Sequence, residues 1–378
     1  MPRDFHVFPD LAFLLTCIVA QLVLAWWARS LVKRGWGRAA IYVFTAICLV
    51  AYASGYLMLF GRVYLRFPVL IVTWVQGGAL ITGLCVIGMV VLGAALRRVP
   101  YREDRREAFR MASAAILSTP ALVTAFGILH RADFRLSEVR VPVEGLPRDL
   151  DGLRIVQVSD IHLSPFLSEK QLARAIDMAN ETRPHIALVT GDLISRPGDP
   201  LDACIRQIVR LRAESGVFGC IGNHEVYAHT EDYTTAQSAR GGVRFLRHQA
   251  AALRFGDAVL NLAGVDYQPL HTVYLSGAER LMAPGCLNVL LSHNPDVLPV
   301  AARQGWDLTI GGHTHGGQIA VEILHHNISP ARYFTPYVRG LYRIGRTVGY
   351  VSTGLGTVGL PIRLGVPPEV SLIRLCAT

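Results

Sequence analysis

No two cysteines of this chain stand at C-x-x-C spacing; the seven (Cys17, Cys48, Cys85, Cys204, Cys220, Cys286 and Cys376) are scattered, three of them inside apolar runs. Nothing in that distribution calls for a disulfide framework or a zinc knuckle, and the cysteines read as small buried hydrophobes. Internal repeats and low-complexity tracts are absent as well. Ionisable residues are nearly missing from the interiors of the long apolar runs, which argues against a proton path or a transporter. A basic surplus is present, +9 overall, but it is unevenly placed: residues 1–130 hold 13 Lys/Arg against 5 Asp/Glu, and residues 131–378 hold 24 against 23. Basic charge confined to loops between apolar segments is the mark of positive-inside membrane topology, and nucleic acid is set aside as a partner.

Four apolar stretches, about 8–28, 39–60, 69–96 and 111–129, approach the roughly 20 residues that cross a bilayer. The fourth carries Ser113, Ser118, Thr119, Pro120 and Thr124, so an interfacial placement is open for it. Arg29, Lys33, Arg34 and Arg38 separate the first two stretches, and Arg97, Arg98, Arg102, Arg105, Arg106 and Arg110 separate the last two. With four crossings, these basic loops put both termini and the C-terminal domain outside the cytoplasm. With three, that domain is cytoplasmic. The run Arg105-Arg106-Glu107-Ala108-Phe109-Arg110 resembles a twin-arginine export address with its aromatic residue one place late, and equally reads as a plain basic flank. The expected plan is a multi-pass cell-membrane anchor over 1–130, a linker over 131–147 and a catalytic domain over 148–378.

From Leu153 the pattern changes to short apolar runs alternating with amphipathic helices, an α/β sheet domain. Ser168 followed three residues later by Gln171 predicts a capping box opening a helix whose inner face is Leu172, Ile176 and Ala179. Leu201, Ile205, Ile208 and Leu211 mark a second helix, and Gly256-Asp257 a hairpin turn. Five predicted strands each run into a possible metal ligand. Val158 leads to Asp160 and His162, Val189 to Asp192, Ile221 to Asn223, His224 and Glu225, Leu291 to His293, and Ile310 to His313 and His315. Carboxy ends of strands are where α/β folds place their sites. Asp160 and His162 are two residues apart, as are His313 and His315, so an extended backbone would aim each pair to one side. Oxygen donors mixed with imidazoles suit Mn, Fe or Zn better than Ca.

The set D-x-H, G-D, G-N-H-E, a lone His and G-H-x-H, in that order, resembles the calcineurin-like metallophosphoesterase superfamily over essentially Leu153 to Leu375. The tail Tyr350–Arg363 with Pro367-Pro368-Glu369, and Gly317-Gln318, is similar to its membrane-associated bacterial branch. The resemblance implies N-terminal transmembrane helices followed by two packed mixed β-sheets flanked by helices. It implies one metal held by Asp160, His162 and His315, a second by Asn223, His293 and His313, and Asp192 between them. Two divalent transition metals about 3.5–4 Å apart would supply a bridging hydroxide for in-line attack. His224 would be the catalytic imidazole, and Glu225, where much of the superfamily has Asp, would orient an imidazole.

Expected substrates are a phosphomonoester, a phosphodiester or a pyrophosphate, which the membrane tether would place at or near the membrane surface; the resemblance to membrane-associated relatives implies a lipid-linked phosphodiester or pyrophosphate as one candidate, and a UDP-diacylglucosamine-type lipid would require a site facing the cytoplasm. A scaffold that keeps the fold without activity should lack some ligands, and none is missing. Arg332, Tyr333, Tyr337 and Arg339 lie where a phosphate or headgroup could be met, or form ordinary surface. His229, His271, His325 and His326 read as surface, His185 as structural, and Asp266 and Tyr267 end a strand near the site.

Overall fold

The computed structural model describes residues 7–60, 125–269, 272–323 and 326–378, with isolated helical positions between 86 and 123. The chain divides into two compact units, Met1–Leu129 with Gly359–Ile362, and His130–Val358 with Arg363–Thr378.

In the first unit α1 (Val7–Leu31) and α2 (Gly35–Phe60) form a helical pair. Cys17, Cys48 and Tyr52 are buried between them, and the Tyr52 hydroxyl donates to Gln21 Oε1 at 3.2 Å. The first two expected spans fall on these helices; the third and fourth, and the arginines of 97–110, lie almost wholly outside the described residues. Among the described residues no helix is long and apolar enough to cross a membrane.

The second unit is built on two six-stranded sheets and a small β10–β11 hairpin (Val321–Ile323, His326–Ile328). The first sheet runs β1 (Arg135–Val143), β14 (Glu369–Ala377), β2 (Arg154–Val158), β3 (Ile186–Val189), β4 (Val217–Gly219), β5 (Val243–Phe245). The second runs β12 (Gly340–Ile344), β13 (Thr347–Val351), β9 (Leu308–Gly311), β8 (Leu287–Leu291), β7 (Ala258–Gly264), β6 (Gln249–Phe255). Strands β2, β3 and β4 are mutually parallel, as are β7, β8 and β9.

Parallel strands covered on both faces read as continuous apolar runs, and β2 obeys this: Ile155 packs into the core between the sheets while Val156 and Val158 pack under the helices. That inter-sheet core joins Leu188 and Phe218 of one sheet to Leu262, Leu291, Ile310 and Tyr350 of the other. Over the outer face of the first sheet lie α3 (Glu169–Glu181) and α4 (Leu201–Ile208). Helix α3 opens on the capping box read from Ser168 and Gln171, with both reciprocal hydrogen bonds made, and buries Leu172, Ile176 and Ala179. A third apolar cluster, with Trp306 fully buried, sits under α7 (Leu298–Gln304), the last of the unit's helices after α5 (Asn223–Ala228) and α6 (Glu231–Arg240).

The structure departs from the expected linker. Residues 131–147 carry β1, paired parallel to β14 over Arg135–Val143. Val139, Val141 and Val143 turn inward while Glu138 and Arg140 face solvent, the period-2 pattern of a half-buried strand. Pro142 disguised it, because proline reads as loop but is tolerated on an edge strand. The catalytic unit therefore begins at about His130 rather than 148.

Candidate metal centre

All eight expected site residues, and Glu225 with them, come from loops at the carboxy ends of parallel strands. Asp160 and His162 follow β2, Asp192 follows β3, and Asn223, His224 and Glu225 open α5 after β4. From the second sheet, His293 follows β8, and His313 and His315 follow β9. The two sheets thus deliver their strand ends to one place. Gln157, buried between them, ties the halves together by donating to Thr190 Oγ1 at 2.7 Å and to the Gly311 carbonyl at 2.9 Å.

The local backbone is not the extended one expected of the D-x-H and H-x-H pairs. Asp160 (φ 49°), His162 (48°), Asp192 (57°), His313 (76°) and His315 (52°) all occupy the left-handed region. For non-glycine residues this conformation is uncommon and costs free energy, and it persists only where the surroundings over-determine it. Here they do: Asp160 Oδ1 accepts from the His313 amide at 2.8 Å, and Asp192 Oδ1 accepts from the His224 amide at 3.0 Å. Close approach also demands glycine at two points. A Cβ on Gly222 would lie 2.2 Å from Asp192 Oδ1, and one on Gly312 would lie 2.1 Å from Ser159 Oγ and 2.2 Å from Asp160 Oδ2. Gly312→Ala is expected to displace Asp160 and lower turnover about 100-fold with the fold intact by circular dichroism, since misplacing a reacting group by about 1 Å costs on that order. A wild-type rate would mean that the loop yields freely.

The imidazoles face one another nitrogen to nitrogen. His162 Nε2 and His315 Nε2 are 3.1 Å apart, and His313 Nδ1 and His293 Nε2 are 3.3 Å apart. The carboxylates lie among them. Asp160 Oδ1 is 3.6 Å from His315 Nε2, and Asp192 Oδ2 is 3.1 Å from His293 Nε2 and 3.4 Å from His162 Nε2. Asn223 Oδ1 is 3.1 Å from His293 Nε2. Donor atoms converge as Asp160–His162–His315, as Asp192–His293–His313 and as His162–Asp192–His224. Asp160, His162 and His293 are fully buried.

Neighbours fix which nitrogen carries a proton. The Thr190 carbonyl can only accept, so His293 Nδ1 at 2.7 Å donates to it and Nε2 is turned to the cluster. The same logic holds for His224, whose Nδ1 donates to the Ser195 carbonyl at 2.5 Å, leaving Nε2 4.0 Å from Asp192 Oδ2. His162 Nδ1 meets Ser195 Oγ at 3.1 Å. The buried His315 Nδ1 has no hydrogen-bond partner among the described residues.

The charge balance follows from burial and proximity. Burial, then the neighbouring His293, lowers His313 to about 3, and burial holds His315 well below the usual imidazole range. Both are neutral with lone pairs free, as metal ligation requires. Burial also opposes charge on His293 and Asp192, but their mutual attraction wins: His293 rises to about 10 and Asp192 falls well below the usual carboxylate range. Asp160 is raised by burial. Imidazole lone pairs on His313 and His315 crowded against two buried carboxylates fit divalent cations, which would take the place of the proton that His293 otherwise holds.

Glu225 corrects the sequence reading. Among the described residues it hydrogen-bonds no imidazole; its carboxylate accepts from the backbone amides of Asp192 (2.9 Å), Leu193 (2.7 Å) and Gly222 (2.9 Å). The cause is placement: at the third residue of α5, its side chain folds back over the helix N-terminus, as in a capping box, and meets the β3 loop there.

Sequence reasoning missed Ser195, whose hydroxyl and carbonyl orient two imidazoles; no motif marks a backbone carbonyl. It also missed Arg363, 3% exposed, which donates to the Thr353, Gly354 and Gly356 carbonyls. The loop so held caps the β2 end, with Leu355 and Gly356 amides donating to the Ser159 and Asp160 carbonyls at 2.9 and 2.7 Å. Of the other histidines, His271 and His325 lie outside the described residues, as does the side chain of His326; His185 Nδ1 accepts from the Arg154 amide at 2.9 Å, a structural role.

Residues 153–317 match the calcineurin-like phosphoesterase family. The metallophosphoesterase YkuE of Bacillus subtilis is 32% identical over 237 residues, 62% of this chain and 82% of that protein. With this, the chain belongs to the calcineurin-like metallophosphoesterases. A Danio rerio transmembrane protein with a metallophosphoesterase domain is 30% identical over 284 residues, 71% of this chain; the match spans 63% of that relative, just under two thirds of its length. The phosphodiesterase YaeI of Escherichia coli is 27% identical over 278 residues, 71% of this chain and 98% of its own.

Proposed function

We propose that this chain is a membrane-associated phosphoesterase that uses two divalent transition metal ions, Mn, Fe or Zn, to hydrolyse a phosphomonoester, phosphodiester or pyrophosphate, with a lipid-linked substrate favoured. Asp160, His162 and His315 would hold one ion, Asn223, His293 and His313 the other, and Asp192 both. The carrying observation is the meeting of four imidazoles, nitrogen to nitrogen, with two buried carboxylates and one amide oxygen.

The chemistry such ions would supply there is Lewis-acid charge for the phosphoryl oxygens and an activated water near neutral pH. The protein's own groups do the rest. His224 is the acid: with Nδ1 committed to Ser195, its Nε2 can hold a proton beside the cluster and deliver it to the leaving oxygen. Burial lowers its pKa, which favours giving that proton up. Glu225 keeps the β3 and β4 loops in register so that Asp192 and Asn223 stay on one side of the cluster.

Membrane association is supported by the apolar stretches of residues 1–130 and by relatives named as transmembrane proteins. The basic loops favour a catalytic domain outside the cytoplasm. Chelation of purified protein is expected to abolish hydrolysis of bis(p-nitrophenyl) phosphate, and Mn to restore it. Turnover that persists in fully demetallated protein would sink the reading.

A further inference from the structure

Beside the cluster stand two tyrosines that the proposed chemistry does not use. Tyr227 lies one turn after His224 on α5 and is 60% exposed, with its ring 5.8 Å from the His224 imidazole. Tyr267 follows β7, its ring 5.6 Å from His313 and 6.3 Å from His293. The two phenol rings meet edge to face at 6.4 Å. An aromatic surface therefore runs from the imidazole that would protonate the leaving oxygen to one that would hold a cation.

Tyr267 is anchored by its neighbours in sequence. The Asp266 carboxylate accepts from Arg247 Nε at 3.1 and 2.9 Å, and Gln268 Oε1 accepts from the Leu275 amide at 2.8 Å. Burial raises the Tyr267 hydroxyl well above its usual range, so it stays an O–H donor. A ring held in place this way offers an apolar face and a polar tip with little side-chain entropy left to lose on binding.

We infer that Tyr227 and Tyr267 form the wall that receives the substrate's ester substituent, and that this wall selects a substituent with a flat ring, such as an aryl group or a nucleobase, over a straight alkyl chain. The inference rests on the proposed function, because a phosphoryl group seated at the cluster is what would bring an ester substituent between His224 and Tyr267. Stacking on a tyrosine face is tolerant of ring identity, so the selection is for shape rather than for one base.

Phenylphosphonate and n-hexylphosphonate share the same anion and carry six carbons each, one as a flat ring and one as a straight chain, so calorimetric titration of each into Mn-loaded full-length protein isolates the wall. Phenylphosphonate is expected to bind about tenfold more tightly, the scale of a ring stacked on an aromatic side chain. The ratio should fall to about threefold or less in Tyr227→Ala and Tyr267→Ala and survive in Tyr227→Phe and Tyr267→Phe. Tyr227 is largely exposed, so its truncation spares the fold even if that of Tyr267 does not. Equal affinities in the wild type, or a ratio unmoved in the alanine variants, overturns the inference. Binding needs no turnover, so a ring preference in protein that fails to hydrolyse bis(p-nitrophenyl) phosphate counts against the hydrolytic reading alone. Failure of both phosphonates to bind counts against both.

Discussion

Glu225→Ala is expected to destabilise the catalytic unit by about 3–6 kcal/mol, more than a typical buried substitution, because it strands three buried amides at once. Those amides belong to Asp192, Leu193 and Gly222, on two different strand-end loops, and no other described acceptor serves them. Each unsatisfied buried N–H costs about 1–3 kcal/mol, and the losses couple because they share one carboxylate. Glu225→Gln should fall between wild type and Ala, since one amide oxygen can still accept but the NH2 group meets a donor. Urea denaturation at fixed metal concentration measures both. A change under about 1 kcal/mol for Glu225→Ala would show that water or a shifted loop serves those amides equally well.

The largest loss of activity is expected from Asp192→Asn. The amide keeps the side chain's shape and its acceptance from the His224 amide, so the fold should survive. It removes the negative charge that faces His293 at 3.1 Å, His162 at 3.4 Å and His224 at 4.0 Å. Without that charge neither proposed cation has its shared ligand, and charge stabilisation of the phosphoryl group goes with it. Turnover should drop by about 1,000-fold or more, with bound metal falling in parallel. A variant that retains a tenth of wild-type turnover would place the essential charge elsewhere.

The sites of chemistry were legible because each lies where a strand stops. Apolar runs such as Ile186–Val189 end in residues that a strand end does not need, and five such endings in one order are hard to produce by turn preference alone. The capping box of α3 and the hairpin at Gly256 were equally readable, since both are set by neighbours within a few residues. What was not legible depends on contacts across the fold. The left-handed conformation of Asp160 is held with the help of the His313 amide, 153 residues away, and His162 is tied through its amide to the Asp192 carbonyl, so no local pattern announces either. The role of Glu225 is hidden for the same reason: two of its three partners, the Asp192 and Leu193 amides, sit on the loop after β3. Strand β1 was hidden by Pro142, which signals a break anywhere except at an edge, and only pairing with β14 makes it an edge.

Seven side chains from two sheets are proposed to hold a pair of cations. Diffraction from crystals of active, Mn-loaded protein, collected at the Mn absorption edge, tests it directly. Two anomalous peaks are expected, one against Asp160, His162 and His315 and one against Asn223, His293 and His313, with Asp192 touching both. Active protein showing a single peak, or none at these residues, would contradict the account.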